Sequence, residues 1–330
     1  MHLPLAWMTG AMTACAIAAM FHLPIEVPGW VRPVASVVLG TMLGSTFGPE
    51  LIVQMGGWLV PALGLLLFLL TATAVSYVYF TAVVKLDPVT ALFAGMPGGI
   101  VEMVMLGQEN GADERTITLV HAARIFLVVL ILPFVLRSFN GSAAAAVAIT
   151  AAPPFAMLDA IWFLAVAAFG VAVGHLFKLP IRYLLGPMLA SAFCHGMGWT
   201  TFRLPGELVA GTQLVLGAMI GCRFAGADAL RILKILLQSV GAAILLLSLT
   251  FLFAFAVSHI TQQSLFALVL AYSPGGLAEM SLVALSLNIE AAFVVTHHLT
   301  RVIVITAGMG PAYALFSKFR AQRRLWRQAK

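Results

Sequence analysis

The sequence predicts an all-α polytopic membrane protein made of two inverted structural repeats, each carrying a Pro-Gly-Gly segment that forms a re-entrant or discontinuous helix. Three observations predict it. Of 330 residues, 62% are hydrophobic and only 9% charged, where a soluble domain carries about 25% charged residues. The apolar residues gather in runs of about 17 to 27, long enough to cross a hydrocarbon core roughly 30 Å thick. The second half of the chain also repeats the first at a constant offset.

A transmembrane β-barrel would need segments of about ten residues alternating apolar and polar. Runs such as 63–70 and 244–255 do not alternate, which excludes it. Apolar runs between charged or turn-rich breaks predict eleven segments: 5–22, 33–48, 58–84, 88–108, 116–137, 160–177, 183–199, 207–222, 235–258, 264–286 and 291–316. Residues 138–159 are rich in Ala, Gly and Pro. The chain therefore divides into a first repeat (1–140), a linker (141–158), a second repeat (159–317) and a basic tail (318–330).

The offset is 177 residues. It carries Pro28, Gly29, Gly40, Met42 and Gly44 onto Pro205, Gly206, Gly217, Met219 and Gly221. It also carries Pro97, Gly98, Gly99, Glu102 and Met103 onto Pro274, Gly275, Gly276, Glu279 and Met280, and His121 and Arg124 onto His298 and Arg301. Near the start the offset is 176, matching Leu3-Pro4, Gly10 and Met12 to Leu179-Pro180, Gly186 and Met188. The segment 160–177 precedes the second Leu-Pro, whereas the first Leu-Pro begins two residues after Met1. The first repeat is thus expected to lack its first helix, through loss of that helix or a misplaced start.

Segments 88–108 and 264–286 are broken near their middle into halves of about nine residues, roughly 14 Å each at 1.5 Å per residue. Neither half spans a bilayer. Pro removes a backbone donor and Gly tolerates bends, as in the broken helices of transporters. Net charge is +6, and Lys318, Arg320, Arg323, Arg324, Arg327 and Lys330 crowd the tail. A basic tail after an apolar span predicts a cytoplasmic C-terminus in the bacterial inner membrane. With the tail inside and both broken segments returning to the side they entered, Arg32, Lys85, Arg115, Lys178, Arg182, Arg223, Arg231 and Lys234 fall inside. Full crossings would move six of these outside, against the charge rule. Each complete repeat then crosses five times, so the two copies are inverted.

Gly98-Gly99 and Gly275-Gly276 should place unwound backbone at mid-membrane, where lipid offers no hydrogen-bond partner. The half-helix end after each pair attracts anions, and the carbonyl end before it attracts cations. Glu102 and Glu279 fall in the first turn after the break. They either cap free amides or form an ion or proton site, and the two roles are compatible. His121 with Arg124, and His298 with Arg301, share a helix face at i, i+3. Each arginine is too deep to snorkel and should face the interior. Its fork suits a substrate carboxylate or phosphate, or Glu102 and Glu279 as internal partners. The histidines either relay protons or make interhelical hydrogen bonds.

No His/Cys ligand cluster or phosphate-binding loop is present, so no metal, cofactor or enzyme activity is expected. Cys15, Cys194 and Cys222, and Met96, Met103, Met105 and Met280, read as packing residues. The predicted function is secondary transport of a small solute by alternating access, proton- or cation-coupled through the two glutamates. The alternative is a membrane regulator of gene expression that does not itself transport. Expected partners are membrane lipid and a small-molecule or ion substrate, with no direct nucleic-acid contact. A homodimer is in keeping with such carriers.

The chain resembles the AbrB-type family of duplicated bacterial membrane proteins. The resemblance rests on Leu-Pro followed by Leu-Gly-Pro-Met (residues 179–188, weaker at 3–12), the paired Pro-Gly-Gly-x-x-Glu-Met, and the paired His-x-x-Arg. The family often has Ser before Pro-Gly-Gly; this chain keeps Ser273 but has Met96 in the first copy. The resemblance implies two labels, regulator of gene expression and ammonia monooxygenase. It also implies kinship with the cation/proton antiporter and anion transporter group.

Overall fold

The computed structural model describes residues 5–139 and 155–328. Leu3-Pro4, most of the predicted linker and the last two residues of the tail lie outside the described residues.

The described chain forms α1 (Ala6–Met20), α2 (Val31–Gly44), α3 (Pro49–Gln54), α4 (Leu59–Ala82), α5 (Pro88–Gly95), α6 (Ile100–Glu109), α7 (Glu114–Phe139), α8 (Met157–Leu176), α9 (Arg182–Gly196), α10 (Gly206–Gly221), α11 (Ala229–Ile260), α12 (Leu265–Tyr272), α13 (Leu277–Ser286) and α14 (Ala291–Gln328). No strand occurs among the described residues. Among the described residues, six helical stretches are long and apolar enough to cross a membrane: 55–82, 114–139, 157–176, 206–224, 229–260 and 291–318. Their outer faces agree. Leu63, Leu67 and Leu70 of α4 and Leu237, Ile244 and Leu252 of α11 are exposed, a pattern suited to lipid and not to water. This is a helical membrane protein.

Three expected spans are short. Helices α1, α2 and α9 have 15, 14 and 15 residues, about 21 to 23 Å at 1.5 Å per residue. Helix α14 continues without a break to Gln328, so the basic segment is helical as far as it is described. Ala, Arg, Leu and Gln are good helix formers and nothing in 318–328 interrupts them.

The sequence offset reappears in the helix boundaries. Shifting by 177 carries α5 onto α12, α6 onto α13 and the start of α7 onto the start of α14; shifting by 176 carries α1 onto α9. Even backbone strain repeats, since Leu5 and Ile181 enter α1 and α9 with left-handed φ of 52° and 48°, a conformation costly for bulky side chains. Helix α8 has no counterpart among the described residues.

The halves grip each other through glycines. A Cβ on Gly40 or Gly44 of α2 would strike the backbone of α9 at Leu184 or Met188. A Cβ on Gly217 or Gly221 of α10 would strike the backbone of α1 at Met8 or Met12. Helix α1 is therefore clamped against α10 of the other repeat, and α9 against α2. A second pair of links ties α4 to α12 and to α11. Tyr272 Oη donates to Pro61 O at 2.6 Å and Tyr79 Oη to Gln238 O at 2.8 Å. The two acceptors are related by the 177 offset, and Gly64 and Gly241 leave room for the two hydroxyls.

At the start of α7, Asp113 Oδ1 accepts from Arg115 N and Thr116 N, its Oδ2 accepts from Thr116 Oγ1, and Arg231 lies 3.5 Å away. Partial burial pushes the Asp113 carboxyl up. The hydrogen bonds from Thr116 and Arg115 and the Arg231 charge more than reverse this, holding it below its ordinary value. Its contribution is therefore present at neutral pH and lost as pH falls through and below the ordinary carboxylate range. Asp113→Ala is expected to cost about 1 kcal/mol at neutral pH and less in acid. Thermal unfolding of the detergent-solubilised pair, from neutral pH down to about pH 2, would refute this if the gap between them stayed constant.

Candidate functional site

The break between α5 and α6 is built by its own sequence. Asp87 caps α5, accepting from Val89 N and Thr90 N at 3.0 Å. Pro97 follows the extended Met96 and ends the helix, and α6 restarts after Gly99. Asp113 N donates to Thr90 Oγ1 at 2.9 Å, so the chain comes back to the level where α5 began. Gly98 and Gly99 lie at the tip between.

The tip glycines are there for space. Gly99 sits at φ −70°, and neither tip pair is among the residues with positive φ. A Cβ on Gly98 would meet the Met103 side chain, and one on Gly99 would meet the Glu102 carboxylate. In the second copy, a Cβ on Gly275 would meet Met280 and one on Gly276 would meet Glu279. Pro-Gly-Gly-x-x-Glu-Met is thus a closed unit in which Glu and Met fold back over the glycines. Each carboxylate therefore sits over the glycine at the amide end of its own helix, where a negative charge is favoured.

The arginines take the opposite end of each break. Arg124 Nη1 donates to Met96 O at 3.0 Å, and its Nη2 to Gly98 O at 3.5 Å and to His121 Nδ1 at 3.1 Å. Arg301 Nη1 donates to Ser273 O at 2.7 Å, and its Nη2 to Gly275 O and to His298 Nδ1 at 2.7 Å. Each histidine turns Nε2 to a carbonyl, Phe93 O for His121 and Leu270 O for His298, at 2.9 Å. A carbonyl only accepts, so Nε2 carries the proton and Nδ1 is free to accept from the guanidinium. Both imidazoles are fully buried, with Nδ1 engaged by the arginine and Nε2 by the carbonyl. The carbonyl end that the sequence marks as attractive to cations is filled by the protein's own guanidinium.

Glu102 and Glu279 are not direct ion-pair partners of Arg124 and Arg301, as one alternative had them. Among the described residues the one ion pair within 4 Å joins Arg231 and Asp113. Glu279 acts on Arg301 and Arg223 only at longer range.

One cavity of about 610 Å³ collects both copies, within the roughly 300 to 1,000 Å³ of small-molecule sites. Pro97, Gly98, Gly99, Glu102, Arg124, Gly275, Gly276, Glu279 and Arg301 line it. Of the other predicted site residues, Pro274 ends α12 behind the tip, and His121 and His298 stand behind their arginines. Arg32 and Arg223, which the charge rule places among loop residues, also line the cavity. They break the internal repeat, since residue 46 is Thr and residue 209 is Val. That asymmetry was the available signal. Met96, Met103 and Met280 are buried as packing residues should be, whereas Met105 is exposed. The cysteines are half-buried, and the α1–α10 contact brings Cys15 beside Cys222. No group of three or more His, Cys, Asp or Glu is placed to hold a metal among the described residues.

A family model described as "Transition state regulatory protein AbrB" matches residues 7–317. The chain belongs to the AbrB family. Every residue that lines the cavity falls within the AbrB match. Two relatives match over nearly the whole chain. "Uncharacterized protein YhjN" of Bacillus subtilis (strain 168) is 28% identical over 350 residues, covering 97% of this chain and 89% of the relative. "Putative regulator AbrB" of Escherichia coli (strain K12) is 28% identical over 326 residues, covering 98% and 93%. No solved structure matches the chain.

Proposed function

We propose that this AbrB-family membrane protein is a secondary transporter that moves a small solute across the bacterial inner membrane by alternating access. The observation that carries the reading is the convergence of two symmetry-related tips and two buried arginines on one cavity. Alternating access needs a site shared by two units able to exchange roles, and sequence-related broken helices at a common site supply such units. The exchanged pairing of α1 with α10 and α9 with α2 fits two copies related by a two-fold axis. If that axis lies in the membrane plane, the repeats are inverted and the broken segments are re-entrant from opposite sides. Proton or cation coupling would run through Glu102 and Glu279, the titratable carboxylates in the cavity wall.

Two measurements test this. In a cysteine-free background, cysteines at Lys85 and Glu109 should react with an impermeant maleimide from one side of the membrane, and those at Gln262 and Asn288 from the other. Labelling of Lys85 and Glu109 positions from opposite sides would remove the re-entrant arrangement. In proteoliposomes, a pool of small metabolites should evoke charge or proton movement in wild type and none in Arg124→Gln or Arg301→Gln. Silence from folded wild-type protein would remove the carrier.

The names of the family and of its Escherichia coli relative favour a second reading, a membrane protein that affects gene expression without transport of its own. It gains ground if proteoliposomes stay silent while deletion alters transcription and the tail captures a cytoplasmic partner.

A further inference from the structure

The cavity wall is unbalanced in charge. Arg32, Arg124, Arg223 and Arg301 face it against two carboxylates, Glu102 and Glu279, a formal excess of two positive charges. Local partners do not remove the excess. The two glutamates lie over the amide ends of their own half-helices, and Arg124 and Arg301 are held by neutral carbonyls and imidazoles. Like charges also oppose each other in pairs. Arg124 and Arg301 repel across the site, and Arg223 and Arg32 repel at its edge. For the buried Arg124 and Arg301 uncompensated charge is costly, and an anion placed between these groups relieves it.

A second observation points the same way. Arg124 is buried, and its Nε–H has no hydrogen-bond partner among the described residues. A buried donor left without a partner costs about 1 to 3 kcal/mol, and it sits on a side chain that lines the cavity. Most of the remaining wall is apolar, with Leu39, Ile100, Ile125, Leu216, Ile220 and Ile305 among its residues. A bare inorganic anion would leave that surface uncovered.

We propose that the cavity takes small organic anions, with a carboxylate-type head held by Arg223 and Arg32 and reaching toward Arg124, and an apolar body against the aliphatic wall. This rests on the carrier reading above and names its substrate class. Arg223 is half-buried and Arg32 exposed, so neither belongs to the hydrogen-bonded frame that holds the tips. They can be changed without unmaking it.

The test is binding to the purified full-length protein by isothermal titration, using carboxylates from acetate to octanoate together with benzoate. Each is paired with the amine of the same skeleton, and sulfate represents inorganic anions. Affinity is expected to rise with apolar size among the carboxylates and to be at least tenfold weaker for the amines and for sulfate. Arg223→Gln should weaken carboxylate binding by about tenfold or more, the scale of one charge-assisted hydrogen bond, and Arg223→Lys should recover part of it. Equal binding of amines, equal binding of sulfate, no binding by any carboxylate, or no effect of Arg223→Gln would each overturn the proposal. The carrier reading fails separately. Solute pools evoking current in proteoliposomes while carboxylates do not bind would leave transport standing and remove the organic anion.

Discussion

Arg301→Leu is expected to be the most damaging single change in the site, abolishing transport and lowering the thermal unfolding temperature markedly. The guanidinium is buried and donates to Ser273 O, Gly275 O and His298 Nδ1. Leucine leaves two carbonyls and an imidazole nitrogen buried without a donor, at about 1 to 3 kcal/mol each. That total is large against the roughly 5 to 15 kcal/mol by which whole domains are stable. Arg301→Lys keeps the charge, but a compact ammonium cannot span the acceptors as a planar fork does; it should recover part of the stability and little of the transport. Arg124→Leu should be milder, because its bonds to Gly98 O and His121 Nδ1 are longer, 3.5 and 3.1 Å. Thermal unfolding and proteoliposome flux on the three variants decide it. Wild-type stability in Arg301→Leu, or greater damage from Arg124→Leu, would contradict the account.

Much of this site was legible because the duplication makes each broken helix and each buried arginine appear twice. The paired Pro-Gly-Gly-x-x-Glu-Met and His-x-x-Arg motifs mark the broken helices and the arginines that serve them, and the structure places them on one cavity. What stayed hidden was the direction of each interaction. Sequence spacing puts Glu102 and Arg124 within plausible reach, but not which end of a broken helix each will occupy. Dipole logic settles it only once the helix ends are located: carboxylates go to amide ends and guanidinium groups to carbonyl ends. The role of the tip glycines was hidden for a similar reason. Flexibility was the natural expectation, whereas the constraint comes from side chains three and five residues later folding back on them. Arg32 and Arg223 escaped because a charge rule for loops cannot tell a loop from the mouth of a cavity.

The lengths of α1, α2 and α9 tell the same story at the level of the fold. Their apolar runs read as full spans, yet the helices stop after 14 or 15 residues. Apolar composition reports burial in lipid or protein alike. Here the Gly-rich faces of α2 and α10 bury against backbone of the opposite repeat, which demands small residues and close approach and not a full bilayer thickness of helix.

Those faces carry the second large prediction, in which the same substitution changes sign with position. A glycine inside a helix is ordinarily worse than alanine by about 0.8 to 1 kcal/mol, so Gly→Ala should stabilise wherever there is room. Gly10 of α1 and Gly211 of α10 have nothing within 4 Å of an added Cβ, and alanine at either should stabilise by up to about that amount. Gly44 of α2 and Gly221 of α10 lie on the same kinds of helix, but their added methyls meet backbone oxygens of Met188 and Met12 that cannot rotate away. The helices must part, and overpacking of this kind costs about 1 to 3 kcal/mol. Because the repeat relates Gly44 to Gly221, the two losses should be nearly equal. Because each contact joins opposite halves, both should also slow any motion that requires the halves to move as intact clamps. Thermal unfolding of the four alanine variants measures the signs, and flux measures the consequence. Stabilisation by Gly44→Ala or Gly221→Ala would mean that the two clamps do not exist at backbone contact distance, and with them would go the structural case for two exchangeable halves.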